Sequence, residues 1–324
     1  TGQAKIIIGT HAVFQETVRF DDLGLVVIDE QHRFGVNQRF ALTQKGRTVD
    51  HLLMTATPIP RSLVLSLYGD IATSKLTQKP KGRQIIKTRA MPVERIEALL
   101  SALAEALRRD ERVFWICPLV EASDKIDLQA AEARFQELQT LFGDRVGLVH
   151  GRMRAEAKAQ AMQAFAQGET RILVATTVVE VGIDVPEATI MIIEHAERFG
   201  LAQLHQLRGR VGRGAQASSC ILLYAAPLSA TAKARLKILR ETDDGFRIAE
   251  EDLRLRGPGE VLGTRQSGMP IFRFADLAAH EPLIERARDT AAIMLAAPDI
   301  CAERINLLLH LFERHDAIDR LAAG

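Results

Sequence analysis

Short apolar runs rich in β-branched residues recur along the chain, separated by longer stretches where apolar residues return every three or four positions. The first pattern marks strands buried on both faces and the second marks amphipathic helices; their alternation predicts an α/β fold built on parallel sheets. Strands are expected at Lys5–Ile8, Gly24–Ile28, His51–Met54, Val113–Ile116, Val146–Val149, Arg171–Ala175, Thr189–Ile193 and Ser219–Leu223. In "IEALLSALAEALRR", Ile96, Leu99, Leu100, Leu103 and Leu107 fall on one helical face. "AEAKAQAMQAFAQGE" reads as a further helix that stops at Gly168.

The stretch "LTQKPKGRQ", residues 76–84, has no periodicity and carries Pro, Gly and bases, so it is the expected linker. It separates part of one α/β unit, residues 1–80, from a complete one, residues 81–228. From residue 229 to 324 the pattern turns helical and basic, with one Gly-rich interruption at "LRGPGEVLGTRQSG". The chain opens "TGQAKIIIGTHAVF", without Met and with a strand-like run almost at once, which raises the expectation of a preceding part.

Composition narrows the class. The chain has 324 residues, 47% hydrophobic and 26% charged, as expected for a globular protein of about two domains. No apolar run approaches the ~20 residues of a membrane-spanning helix, and no signal-peptide pattern stands at the start. Cys117, Cys220 and Cys301 are widely spaced, and read as reduced thiols of a cytosolic protein. The net charge of +1 gives no bulk attraction for nucleic acid, so such binding has to come from local patches.

"LVVIDEQHRFG", residues 25–35, drives a buried strand into two carboxylates, Asp29 and Glu30. A solvated strand end is the plain explanation. The alternative is a Mg²⁺–nucleotide site, because ligands of open α/β sheets bind beyond the carboxyl ends of strands. The next strand runs into "TATPIPR", residues 55–61, and a later one into "TTVVEVGIDVP", residues 176–186. Gly182 there permits close ligand approach, and Asp184 suits a ribose hydroxyl. In "QLHQLRGRVGRG", residues 203–214, Arg208, Arg210 and Arg213 alternate with Gly209, Gly212 and Gly214. Glycine admits close backbone approach, and arginine suits bidentate phosphate contacts. The plain alternative is a basic surface loop. His51, His150, His195 and His205 lack metal-ligand spacing, and Trp115, Tyr68 and Tyr224 are too scattered for a base-stacking platform.

The ordered set of "DEQH", "TATP", "TTVVEVGIDVP" and "QLRGRVGR" resembles the motif series of superfamily-2 helicases and translocases. "DDGFRIAEEDLRLRGPGEVLGTRQSG", residues 243–268, looks like the translocation motif of the RecG family. The related segment of Mfd, the transcription-repair coupling factor, is less similar. The resemblance implies RecA-like parallel-sheet motor domains with ATP between them. Residues 1–80 would be the carboxyl-terminal part of the first, 81–228 the second, and 229–324 a mostly helical translocation region and tail.

It also implies roles for single residues. Asp29 would hold Mg²⁺ and Glu30 would activate water. Gln31, His32, Thr55 and Thr57 would couple nucleotide to DNA. Gly182 and Asp184 would meet the nucleotide. Arg210 and Arg213 would act as arginine fingers, with Gln206 closing the cleft. Arg235, Arg256 and Gln266 would hold the translocation loop, and Thr10, Gly151, Arg152 and Thr177 would meet DNA phosphates.

One departure is plain: Gly-x-x-x-x-Gly-Lys-Ser/Thr, the phosphate loop, occurs nowhere in the chain. The family carries it upstream, so this chain is expected to be inactive alone. The intact protein implied by the resemblance is an ATP-dependent DNA helicase. It would be monomeric, cytoplasmic and nucleoid-associated, acting on forks and Holliday junctions in repair and recombination. The alternatives are an Mfd-type translocase and a DNA-binding module without catalysis.

Overall fold

The computed structural model describes residues 4–15, 17–30, 45–46, 49–56, 72–78, 84–118, 124–176, 185–214, 216–256, 280–296 and 298–311. It divides into two compact units, residues 1–70 with 256–324, and residues 71–255.

In the first unit β1 (Leu25–Ile28) and β2 (Asp50–Leu53) pair in parallel, with Val26 opposite His51 and Ile28 opposite Leu53. Val26 and Ile28 are buried against Leu23, Val49 and Leu53. The run Lys5–Ile8, expected as a strand, is not one: Ile6 and Ile8 are 82% and 94% exposed. A strand exists only where a neighbour takes its backbone hydrogen bonds, and none of the described residues pairs with this run.

The second unit holds a six-stranded sheet in which all neighbouring strands pair in parallel. Its strands are β3 (Lys87–Pro92), β4 (Arg112–Ile116), β5 (Val146–Val149), β6 (Ile172–Ala175), β7 (Ala188–Ile193) and β8 (Ser219–Tyr224), in the order β3-β8-β7-β4-β6-β5. Helices are α1 (Ile96–Arg108), α2 (Asp124–Phe142), α3 (Ala155–Gln167), α4 (Leu201–Arg208), α5 (Ala230–Glu241) and α6 (Gly245–Arg256). The first unit contains α7 (Glu281–Ala296) and α8 (Pro298–Leu311).

Side chains alternate across β4. Val113 and Trp115 pack with Leu99, Leu103 and Leu107 of α1 and Leu138 of α2. Phe114 and Ile116 pack on the other side with Phe165 of α3, Leu204 of α4 and Leu236 of α5. Helices therefore cover both faces, which is why β4, β6 and β7 are apolar at nearly every position. The fold is RecA-like, as expected, and α3 does end at Gly168, in the left-handed conformation.

Two features differ from the sequence expectation. β3 was not anticipated: "KTRAMP" is an edge strand, paired on one side by β8, and edges tolerate charge. The second unit also extends from Ile71 to Leu255, where the sequence boundaries stood at 80 and 228. Leu236, Leu239 and Ile248 of α5 and α6 belong to the sheet's core, and Lys75 Nζ sits 5.2 Å from the ring centre of Phe246.

Candidate nucleotide and nucleic-acid site

In the first unit, Asp29 and Glu30 follow β1 directly. Asp29 is exposed and its Oδ1 accepts a hydrogen bond from the Glu30 amide at 2.8 Å. Glu30 adopts φ 51°, a left-handed conformation that is uncommon outside glycine and is found at functional turns. The Met54 amide donates to the Ile28 carbonyl at 2.8 Å, so Thr55 leaves the sheet at the same end as the two carboxylates. Thr10 is exposed just before the short 3₁₀ turn His11–Phe14, and its carbonyl accepts from Val13.

In the second unit, Leu201, Leu204 and Leu207 recur every third residue and bury one face of α4. Gln206 lies off that face and is half-buried. The turn that follows carries Arg210, half-buried, and Arg213, exposed, whose Nε donates to the Gly209 carbonyl at 3.3 Å. Gly212 has φ 73°, and a Cβ there would stand 2.9 Å from Cγ1 of Ile86. Both constraints demand glycine. A Cβ on Gly214 would meet the Pro186 carbonyl oxygen at 2.8 Å, which seats the turn against the end of "TTVVEVGIDVP".

Gly151 and Arg152 are exposed beyond the carboxyl end of β5, and Lys158 Nζ donates to the Gly151 carbonyl at 2.7 Å. Burial lowers the pKa of the adjacent His150, outweighing the attraction of Glu132. Arg235 on α5 donates from Nη1 to the Phe199 carbonyl at 2.5 Å, in the connector between β7 and α4. Gln31, His32, Thr57, Thr177, Gly182, Asp184, Gln266 and the side chain of Arg256 lie outside the described residues. No cluster of potential metal ligands occurs among the described residues.

The sequence reading missed the buried role of one residue and a second residue altogether. Arg208 stood among the phosphate-binding candidates, but it is 2% exposed. Its Nη1 donates to the carbonyls of Leu239 at 2.8 Å and Thr242 at 2.9 Å, and its Nη2 lies 3.0 Å from His205 Nδ1. Desolvation lowers its pKa, opposed by Cys220 and Asp243. Glu194, after β7, accepts from Trp115 Nε1 at 2.7 Å and pairs with Arg134 Nε at 2.5 Å. Nothing in the local pattern marks either, since both depend on partners distant in sequence.

Residues 1–64 match the family described as DEAD/DEAH box helicase, and residues 94–215 match Helicase conserved C-terminal domain. Residues 242–310 match ATP-dependent DNA helicase RecG, domain 3, C-terminal. The chain belongs to the RecG helicase family. The ATP-dependent DNA helicase RecG of Acidithiobacillus ferridurans is 55% identical over 87% of this chain and 42% of its own length. RecG of Escherichia coli strain K12 is 51% identical over 90% of the chain and 43% of its own. A solved structure of RecG bound to a three-way DNA junction is 44% identical with a TM-score of 0.66, covering 88% of this chain and 36% of that one. The chain thus spans less than half the length of the RecG relatives it matches. Within the family frame, the match from residue 242 spans α6, α7 and most of α8.

Proposed function

We propose that this chain forms part of an ATP-dependent DNA helicase that remodels branched duplex DNA, stalled forks and Holliday junctions, in repair and recombination. The observation that carries the reading is the RecG-specific match at residues 242–310, downstream of the "QLRGRVGRG" turn. The protein would act as a monomer in the cytoplasm, on the nucleoid. Among the described residues no helix is long and apolar enough to cross a membrane.

Mg²⁺ and ATP are the implied cofactors. Asp29 fits the metal: an exposed carboxylate at the carboxyl end of a parallel strand, offering the hard oxygen donors Mg²⁺ prefers. Bound Mg²⁺ would neutralise charge on the phosphates. Glu30 would orient water. Arg210 and Arg213, with Gln206, would face charge developing on the phosphate, while Gly182 and Asp184 would meet the nucleotide. Gln31, His32, Thr55 and Thr57 would couple the nucleotide to DNA. Thr10, Gly151, Arg152 and Thr177 would contact DNA phosphates, by short polar groups and backbone amides. Residues 231–273 hold nine Lys/Arg against seven Asp/Glu, too balanced for an electrostatic clamp. That favours a segment moved against DNA each cycle and held through Arg235, Arg256 and Gln266.

The test is Arg213→Ala in the full-length protein that carries this chain. An arginine finger is worth ~10³–10⁵ in rate, so DNA-stimulated ATP hydrolysis should nearly vanish while fork binding holds. Equal loss of both in paired hydrolysis and gel-shift assays would make Arg213 a DNA contact instead.

A further inference from the structure

Three arginines stand within six residues of "LRGRVGR", yet the structure gives them different surroundings. Arg213 is exposed, Arg210 is half-buried, and Arg208 is buried against the carboxyl-terminal end of α5. We propose that Arg208 is a positioning residue for ATP hydrolysis: it pins the end of α4 to the last carbonyls of α5 and thereby aims the turn that presents Arg210 and Arg213. The inference rests on the finger assignment above.

A buried guanidinium is costly unless its donors are satisfied, and here three acceptors surround it. The carbonyls of Leu239 and Thr242 belong to the end of α5, where helix carbonyls lack intrahelical partners and carry partial negative charge. His205 is one turn back on α4 itself; with its proton on Nε2, its Nδ1 accepts from Arg208. Arg208 therefore supplies a cation where the helix end needs one, and it does so from the last residue of α4.

The placement matters because α4 is only eight residues long, and the turn starts at its end. The Gly209 amide still bonds to the His205 carbonyl, and the Arg210 amide to that of Leu207, so the exit direction follows the final helical turn. Farther on, the turn is fixed by Gly212 against Ile86 and Gly214 against Pro186. With Arg208 holding the entrance and these glycines the exit, Arg210 and Arg213 lie on a segment anchored at both ends. Release of the entrance would leave the arginines present but misaimed, and misplacement by ~1 Å can cost about 10² in rate.

The experiment compares Arg208→Met, Arg208→Lys and Arg213→Ala in the full-length protein. It measures kcat and KM for ATP with fork DNA, fork binding and melting temperature. The expected result for Arg208→Met is a kcat lowered about 10²-fold, with KM for ATP and fork binding within about threefold. Arg208→Lys keeps the cation but cannot hold the acceptors as a planar fork, so its kcat should fall between. It carries the test if the Met variant does not fold. A merely structural arginine would lower the melting temperature and leave kcat per folded molecule unchanged. That outcome overturns the proposal, as does a raised KM with normal kcat or a Lys variant of parental kcat. If Arg213→Ala itself hydrolyses normally, the finger assignment fails, which is distinguishable from failure of the pin.

Discussion

Removing the Glu194 carboxylate tests how the second unit is held together. Glu194 is 8% exposed, accepts from Trp115 Nε1 at 2.7 Å and pairs with Arg134 Nε at 2.5 Å, while the Arg134 guanidinium lies 5.4 Å from the indole centre. These contacts join β4, α2 and the residue following β7. Glu194→Ala leaves a buried indole N–H without its acceptor and a mostly buried cation without its inner partner. Loss of one member of a buried pair costs ~3–5 kcal/mol, but Arg134 keeps an ion pair to Glu137, so the low end, about 3 kcal/mol, applies. For a unit of this size that corresponds to roughly 6–12 °C in Tm. Glu194→Gln retains an acceptor for the indole and should cost about half as much. Trp115 is the sole tryptophan of the chain and lies in the second unit, so its fluorescence during urea denaturation reports that unit's transition. The midpoint should shift while the slope stays constant. Should Glu194→Ala unfold within about 0.5 kcal/mol of the parent, as ordinary surface substitutions do, the cluster contributes nothing beyond its neighbours' packing.

Other outcomes follow from single sites. Gly212→Ala should lower the stability of the second unit by about 1–3 kcal/mol, because φ 73° and the approach of Ile86 both penalise a Cβ; an unchanged denaturation midpoint would refute this. Without a phosphate loop, the 324-residue chain should show almost no rise in Tm with millimolar Mg-ATP and no turnover above blank, and a clear rise in a thermal melt would contradict the expectation. Burial pushes the Cys220 thiol up to about 12 and raises that of Cys117 further, with Glu194 adding to the burial effect there. Because both pKa values are raised, both groups stay protonated thiols at pH 8, so a thiol reagent should label them only on unfolding; rapid native labelling of either would overturn the assignment. The same sign makes stability fall as pH rises above the unfolded value of 9.0, through ionisation favoured in the unfolded chain.

The sequence alone determined the alternation of strand and helix, the sides of α1, and the order of motifs along the chain. These are local properties: a period of two or three and a half, a capping glycine, a carboxylate after an apolar run. Asp29, Glu30, Gln206, Arg210 and Arg213 were therefore legible as positions, though their roles came by resemblance. What only the tertiary structure decided depends on partners far along the chain. Lys5–Ile8 has strand composition but is no strand, because composition cannot supply a neighbour for its hydrogen bonds. "KTRAMP" was not anticipated as a strand, yet it forms an edge strand because β8 offers it a partner. Arg208 and Arg213 are indistinguishable in a Gly/Arg-rich string. The end of α5, some thirty residues later, draws the first inside, while the second stays exposed.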